Sequence, residues 1–202
     1  MTKIKLCGLS QGCDIEAANA LQPDYIGFVF SAKSRRYVPP EKAAALRRML
    51  RPEIRAVGVF VDEAPENVAK LLNDGVIDLA QLHGNEDEEY VRWLRALTDR
   101  PLIQAFRIRT EEDLSRAETS TADEILLDAG AGTGTAFDWT LLQGVDRRYF
   151  LAGGLNPENV RDAIRSVRPY GVDVSSGIET DFRKDQEKMA AFVAAVREEN
   201  RQ

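Results

Sequence analysis

The sequence predicts an α/β protein in which eight βα units close into a (β/α)8 TIM barrel, and three observations carry that prediction. Short β-branched and aromatic runs alternate with segments of helical period, the pattern of parallel strands joined by crossover helices. Eight such units can be counted in 202 residues, which leaves no room for an inserted domain, so residues 1–202 are expected to form one barrel domain. After the first strand, Cys7-Gly8-Leu9-Ser10-Gln11-Gly12 lacks the G-x-G-x-x-G spacing that would favour the rival architecture, an open doubly wound sheet.

Taken in order, the strand candidates are Ile4 to Cys7, Tyr25 to Phe30, Ala56 to Val61, Leu79 to His83, Leu102 to Phe106, Glu124 to Asp128, Tyr149 to Ala152 and Val172 to Val174. Each is short, and few show strict polar alternation. Between them, Val160, Ala163, Ile164 and Val167, and again Met189, Phe192, Val193 and Val196, have the spacing of helices that cover one face. Asn156-Pro157-Glu158 supplies a cap, a first-turn proline and an early acid, so a helix is expected from about Pro157. Asp14 marks another helix start, and Asp138 before Trp139 reads as a cap. From Thr110 to Thr121 only Leu114 and Ala117 offer an apolar face, which predicts a short helix.

A hydrophobic content of 44% supports one substantial core. No run approaches the roughly 18 apolar residues of a membrane span, and Met1 to Leu6 has no apolar stretch of signal-peptide length. A soluble, cytoplasmic protein is expected. The net charge of -6 disfavours nucleic acid and anionic membranes as partners. It still allows a small anion, held by glycine-rich backbone and individual arginines. Cys7 and Cys13 form neither a disulfide framework nor a zinc spacing, so both are expected to be reduced thiols and no metal is expected.

In a barrel of this type the loops after the strands form the active face. Three of them are rich in glycine: Gly130, Gly132 and Gly134 after the sixth strand, Gly153 and Gly154 after the seventh, and Gly177, behind Ser175 and Ser176, after the eighth. Each glycine alone can be read as a tight turn. Together, in the loops where such barrels commonly hold phosphate, they point to an anion. No G-x-x-x-x-G-K-[ST] accompanies them, so the phosphate belongs to a small substrate rather than to a nucleoside triphosphate.

Cys7 closes an apolar strand before a glycine; it is either a small packing residue or a thiol at the barrel mouth. Asp128 ends the run Ile125-Leu126-Leu127 and either caps a turn or moves a proton. Asp173, inside the eighth run, either points into the mouth or anchors a loop. His83, the only histidine, either serves as acid or base or holds a loop. If it is not the catalyst, proton transfer falls back on Cys7 and Asp128. Arg36 in Ser34-Arg35-Arg36-Tyr37 offers a fork to a carboxylate or phosphate, while Arg35 reads as solvated.

Lys5-Leu6-Cys7-Gly8-Leu9, Gly27-Phe28-Val29-Phe30, Arg36-Tyr37-Val38, Gln81-Leu82-His83-Gly84, Gly132-Thr133-Gly134 with Phe137-Asp138-Trp139, Leu151-Ala152-Gly153-Gly154-Leu155 and Asp173-Val174-Ser175-Ser176-Gly177-Ile178-Glu179 run in order from the first strand to the last. As a set they resemble the phosphoribosylanthranilate isomerase family. The resemblance implies a barrel that performs an Amadori rearrangement of a phosphoribosylated anthranilate, in tryptophan biosynthesis, without cofactor or metal. It implies Cys7 as general base and Asp128 as general acid. Arg36 is expected to meet the anthranilate carboxylate, His83 and Asp173 to line the pocket, and Gly132, Gly134, Gly153, Gly154, Ser175, Ser176 and Gly177 to hold phosphate. For this, Asp128 must hold a proton and Cys7 must lose one near neutral pH, against their reference preferences.

The sequence departs from the family pattern at Arg35, where proline is common, so the second loop lacks proline's fixed φ. A histidine-pathway isomerase would instead put an aspartate at the position of Cys7. An indoleglycerol phosphate synthase would need a lysine at a strand end, whereas Lys5 lies inside the first strand and Lys33 in a loop. A barrel that only binds a phosphosugar would be expected to have lost Cys7 or Asp128.

Overall fold

In a computed structural model, which describes residues 1–130, 139–142 and 144–201, eight parallel strands close into a barrel in chain order. They are β1 (Lys3–Cys7), β2 (Tyr25–Val29), β3 (Arg55–Phe60), β4 (Leu79–Leu82), β5 (Leu102–Arg107), β6 (Glu124–Asp128), β7 (Tyr149–Ala152) and β8 (Gly171–Val174), with β8 returning to pair with β1. Each expected strand is present and its limits move by one residue at most. Around them run α1 (Gly12–Leu21), α2 (Pro40–Met49), α3 (Pro65–Asn73), α4 (Glu88–Leu97), α5 (Glu111–Glu118), α6 (Val160–Val167) and α7 (Gln186–Glu199). Between β6 and β7 the described residues include a 3-10 turn, Trp139–Leu142. After β8 come a second such turn, Ser176–Ile178, and a short antiparallel ribbon of β9 (Glu179–Thr180) and β10 (Arg183–Lys184). Among the described residues, no helix is long and apolar enough to cross a membrane.

Local chemistry sets the helix limits. The thin segment after Thr110 is helical because Thr110 and Asp113 cap each other's backbone reciprocally, although Ala117 is its one buried residue. Asp14 sits in the first turn of α1, two residues inside its start, where its carboxylate accepts from the N–H groups of Ser10 and Gln11. The helix expected from Pro157 begins regularly only at Val160. Asn156 Oδ1 accepts from the N–H groups of Glu158 and Asn159 while Asn159 Oδ1 accepts from that of Asn156, so those residues form a capped turn ahead of the helix.

Strand alternation divides the buried residues into two layers. Leu6, Phe28, Leu82, Leu127 and Leu151 face outward and pack with helix residues such as Leu72, Leu94, Ile164 and Phe192. Tyr25, Val57, Leu79, Ile103, Leu126 and Phe150 fill the barrel itself. That plug accounts for the runs without polar alternation, because both faces of each strand are covered.

Beside the plug the interior also holds polar side chains. Lys5 is 0% exposed, and its Nζ lies 2.9 Å from Asp173 Oδ1, its direct partner across the β1–β8 seam. Removing either charge from water costs several kcal/mol, which only the partner offsets. Asp173→Leu, which strands the Lys5 ammonium, is therefore expected to lower the unfolding free energy by about 3–5 kcal/mol. The double variant Lys5→Met/Asp173→Leu should recover much of that loss. Urea unfolding followed by circular dichroism measures both; a single variant as stable as the wild type would contradict the pairing.

Candidate active site

At the carboxyl ends of the strands the barrel opens into a cavity of about 440 Å3. Cys7, Arg36, His83, Asp128, Gly153, Gly154, Asp173, Ser175 and Ser176 all line it, together with Gln81 and Arg107. Residues from seven strands or their exits therefore converge on one space.

Cys7 is the last residue of β1 and faces inward beside Val29 and Val59. Across the ladder it is paired with Gly27, where a Cβ would come within 2.7 Å of Sγ, so the glycine makes the room that the sulfur occupies. Burial pushes the thiol above its ordinary value; the cations of Lys5 and Lys184 pull the other way without overcoming it, and Asp173 adds to the rise. This direction is opposite to the one the family resemblance implies for Cys7, because desolvation dominates the nearby positive charge.

Asp128 ends β6 with its two oxygens in different settings. Oδ1 accepts from the Gly130 N–H at 2.8 Å, and Oδ2 lies 3.7 Å from His83 Nε2. The other ring nitrogen, Nδ1, is 2.9 Å from Gln81 Nε2. Burial holds His83 below its ordinary pKa despite the carboxylates of Asp128 and Asp173. That direction favours the neutral ring. Asp173, which sequence left between a mouth residue and a loop anchor, points into the barrel and is 9% exposed.

Arg36 meets a carboxylate of its own chain. Its Nε and Nη2 fork onto Glu179 at 2.6 and 2.8 Å, and Lys184 Nζ reaches the same Glu179 at 2.6 Å while donating to the Ser175 carbonyl at 2.9 Å. Arg35 is not simply solvated: its guanidinium lies 4.0 Å from the centre of the Phe182 ring.

The glycine loops fall into three groups. Gly153 has φ +97° and a Cβ there would sit 2.1 Å from the Gly130 nitrogen, so the loops after β6 and β7 meet backbone to backbone. Gly154 in the same β7 loop, and Ser175 and Ser176 after β8, line the cavity. Gly177 does not line it; it packs behind, where a Cβ would fall 1.9 Å from the Leu155 carbonyl oxygen. Gly132, Gly134, Phe137 and Asp138 lie outside the described residues. Among the described residues, no group of three or more histidine, cysteine, aspartate or glutamate side chains is placed to hold a metal.

Lys5, Gln81, Arg107, Glu179 and Lys184 are the residues that sequence reasoning missed. Lys5 and Gln81 each stand two positions before a residue that was singled out, Cys7 and His83, and strand parity alone would have put them in the same interior. Glu179 and Lys184 come together through the β9–β10 ribbon, for which spacing gave no signal.

Residues 4–195 match the family described as N-(5'phosphoribosyl)anthranilate (PRA) isomerase. The chain is 44% identical to an N-(5'-phosphoribosyl)anthranilate isomerase of Acetivibrio thermocellus, over 98% of this chain and 97% of the relative. Its fold is similar to the crystal structure of phosphoribosyl anthranilate isomerase from Thermotoga maritima, with a TM-score of 0.91 and 37% identity, covering 98% of this chain and 100% of the other. A further structure of such an isomerase, in complex with reduced 1-(o-carboxyphenylamino)-1-deoxyribulose 5-phosphate, superposes with a TM-score of 0.88 at 37% identity, with coverages of 98% and 100%.

The Arg36–Glu179–Lys184 cluster makes a prediction about pH. Burial pushes the Glu179 carboxyl up, but the hydrogen bonds from Arg36 and Lys184 outweigh it and bring it down to about 2. A carboxyl that ordinarily titrates near 4.5 and is held at about 2 stabilises the fold fully above pH 4.5, and that contribution is lost as the pH falls through about 2. The difference in unfolding free energy between wild type and Glu179→Gln should be constant above pH 4.5 and shrink toward pH 2. A difference that stays flat over that range would contradict the assignment.

Proposed function

The chain belongs to the N-(5'-phosphoribosyl)anthranilate isomerase family, and from that premise we propose that Cys7 and Asp128 are its proton-transfer pair. It catalyses the isomerisation of N-(5'-phosphoribosyl)anthranilate, a step of tryptophan biosynthesis. The observation that supports the residue assignment is the convergence of one thiol and one carboxylate, each the last residue of its strand, on one cavity. A sugar placed between them meets an acid from the β6 side and a base from the β1 side.

The reaction balances with those two groups. Asp128 gives a proton to the ribose ring oxygen, the C1–O bond breaks, and the nitrogen lone pair forms a cationic Schiff base. Cys7 then takes the C2 proton, and the C–H electrons move into a C1–C2 double bond as the C=N electrons return to nitrogen. The resulting enolamine loses its hydroxyl proton and gains one at C1, giving the ketone. Cys7 acts here as thiolate, so its own proton leaves to solvent before the C2 proton is taken; burial opposes that ionisation, and the positive charge of the Schiff base favours it once the ring has opened.

Phosphate is assigned to the loops after β7 and β8, where Gly153, Gly154, Ser175 and Ser176 present backbone and hydroxyl groups to the cavity, as expected for this class of barrel. Gly132 and Gly134 are assigned to the same task on the family resemblance. Arg36 is assigned to the anthranilate carboxylate; its Nη1 makes no hydrogen bond in the fork to Glu179 and stays available for that contact. Substrate and enzyme then share one guanidinium, which Glu179 and Lys184 hold in place.

The test follows loss of anthranilate-type fluorescence as phosphoribosylanthranilate, generated in place, is converted without added cofactor. Wild type is expected to turn over, and folded Cys7→Ser and Asp128→Asn are each expected to lose about 10²–10⁴-fold in kcat, the range that general acid–base groups supply. A folded variant that keeps wild-type kcat would remove that residue from its role.

A further inference from the structure

Gln81 takes no part in the proton transfers described above, yet it is one of the most buried polar side chains of the barrel, 1% exposed. It precedes His83 by two residues, so both side chains face the cavity. Its Nε2 lies 2.9 Å from His83 Nδ1, and its Oε1 has no hydrogen-bond partner. On the far side of the imidazole, Nε2 lies 3.7 Å from Asp128 Oδ2, the oxygen not engaged by the Gly130 N–H.

An amide nitrogen only donates. The Nδ1 facing it must therefore present its lone pair, and the single proton of the neutral ring sits on Nε2, toward Asp128. The opposite tautomer would aim a basic lone pair at the carboxyl group, where it would compete with the substrate for the acid's proton. An N–H in that place cannot take a proton. We propose that Gln81 is a positioning residue: by donating to Nδ1 it fixes His83 as a neutral ring with its N–H toward Asp128, and so leaves the substrate as the acceptor of that acid's proton. The proposal rests on Asp128 being the general acid.

The surroundings act in the same direction. Burial disfavours the imidazolium, Lys5 on β1 adds to that, and Asp128 on β6, Asp173 on β8 and Glu86 beyond β4 oppose it without prevailing. Arg107, at the end of β5, lines the same cavity with a further positive charge. Donation from Gln81 to Nδ1 favours the unprotonated nitrogen and so works with burial.

Because His83 is the only histidine, the imidazole 15N spectrum of tag-free protein labelled with 15N-histidine belongs to one ring. At pH 7.5 wild type is expected to show a proton-bearing Nε2 and an unprotonated Nδ1, with a titration midpoint below that of a free histidine. Gln81→Glu keeps the shape but accepts instead of donating. It is expected to draw the proton to Nδ1, to raise the midpoint by about one pH unit or more, and to lower kcat at neutral pH by about tenfold or more while KM changes little. Gln81→Met, uncharged and of similar length, should give a mixture of tautomers and an intermediate kcat, and it serves if the glutamate variant does not fold. A wild-type ring protonated on Nδ1, or a folded variant with the wild-type tautomer and midpoint, overturns the proposal. So does a tautomer that moves while kcat stays. If Asp128→Asn keeps full activity, the assignment of the acid fails, whereas the spectra still report the Gln81–His83 contact independently.

Discussion

Closure of the β1–β8 seam is the constraint on which the rest of the molecule depends. Only a closed barrel turns alternate side chains of eight strands toward one axis, and at this seam the inward residues are Lys5 and Asp173, opposite each other and paired at 2.9 Å. Both charges lie out of water, so the geometry that satisfies one is set by the other. Two residues further along β1 the same parity delivers Cys7 to the cavity, and two residues past Asp173, just beyond the end of β8, Ser175 reaches it. The inward line of each strand thus runs from apolar plug to reactive mouth.

The cavity is rich in charge, yet much of that charge is internally paired. Lys5 faces Asp173, and Arg36 and Lys184 share Glu179. Such pairs hold polar groups in fixed positions at low cost in reorganisation, the condition for stabilising charge that develops during a reaction. Cys7 differs in kind: burial pushes its thiol up against the pull of Lys5 and Lys184.

Much of this was legible in the sequence, and what was not has physical causes. The eight strands could be read because each is an apolar run bounded by turn residues, and covered faces remove the polar alternation that would have blurred their limits. Cys7, His83 and Asp128 could be read because they end such runs. Asp173 could not be decided, since its orientation depends on the parity of a strand whose start, Gly171, carries no apolar signal. Lys5 and Gln81 were hidden because a polar residue inside a strand ordinarily signals an outward face, whereas here it marks the inner lining. The partner of Arg36 was invisible because Glu179 is 143 positions away in sequence and reaches it through a two-residue ribbon. Gly177 was legible as glycine but not by role, since its crowding against the Leu155 carbonyl exists only once the loops after β7 and β8 are packed.

For the proposed proton transfers, a bound sugar must lie between Cys7 and Asp128 with the reacting atoms in reach of each. A crystal structure of this chain with reduced 1-(o-carboxyphenylamino)-1-deoxyribulose 5-phosphate tests it most directly. Cys7 Sγ is expected near C2 and an Asp128 oxygen near the atom that was the ring oxygen, both at about 3–3.5 Å, with phosphate against Gly153, Gly154 and Ser176. A ligand that turns C2 toward Asp128, or that leaves the sulfur without contact to the sugar, would contradict it.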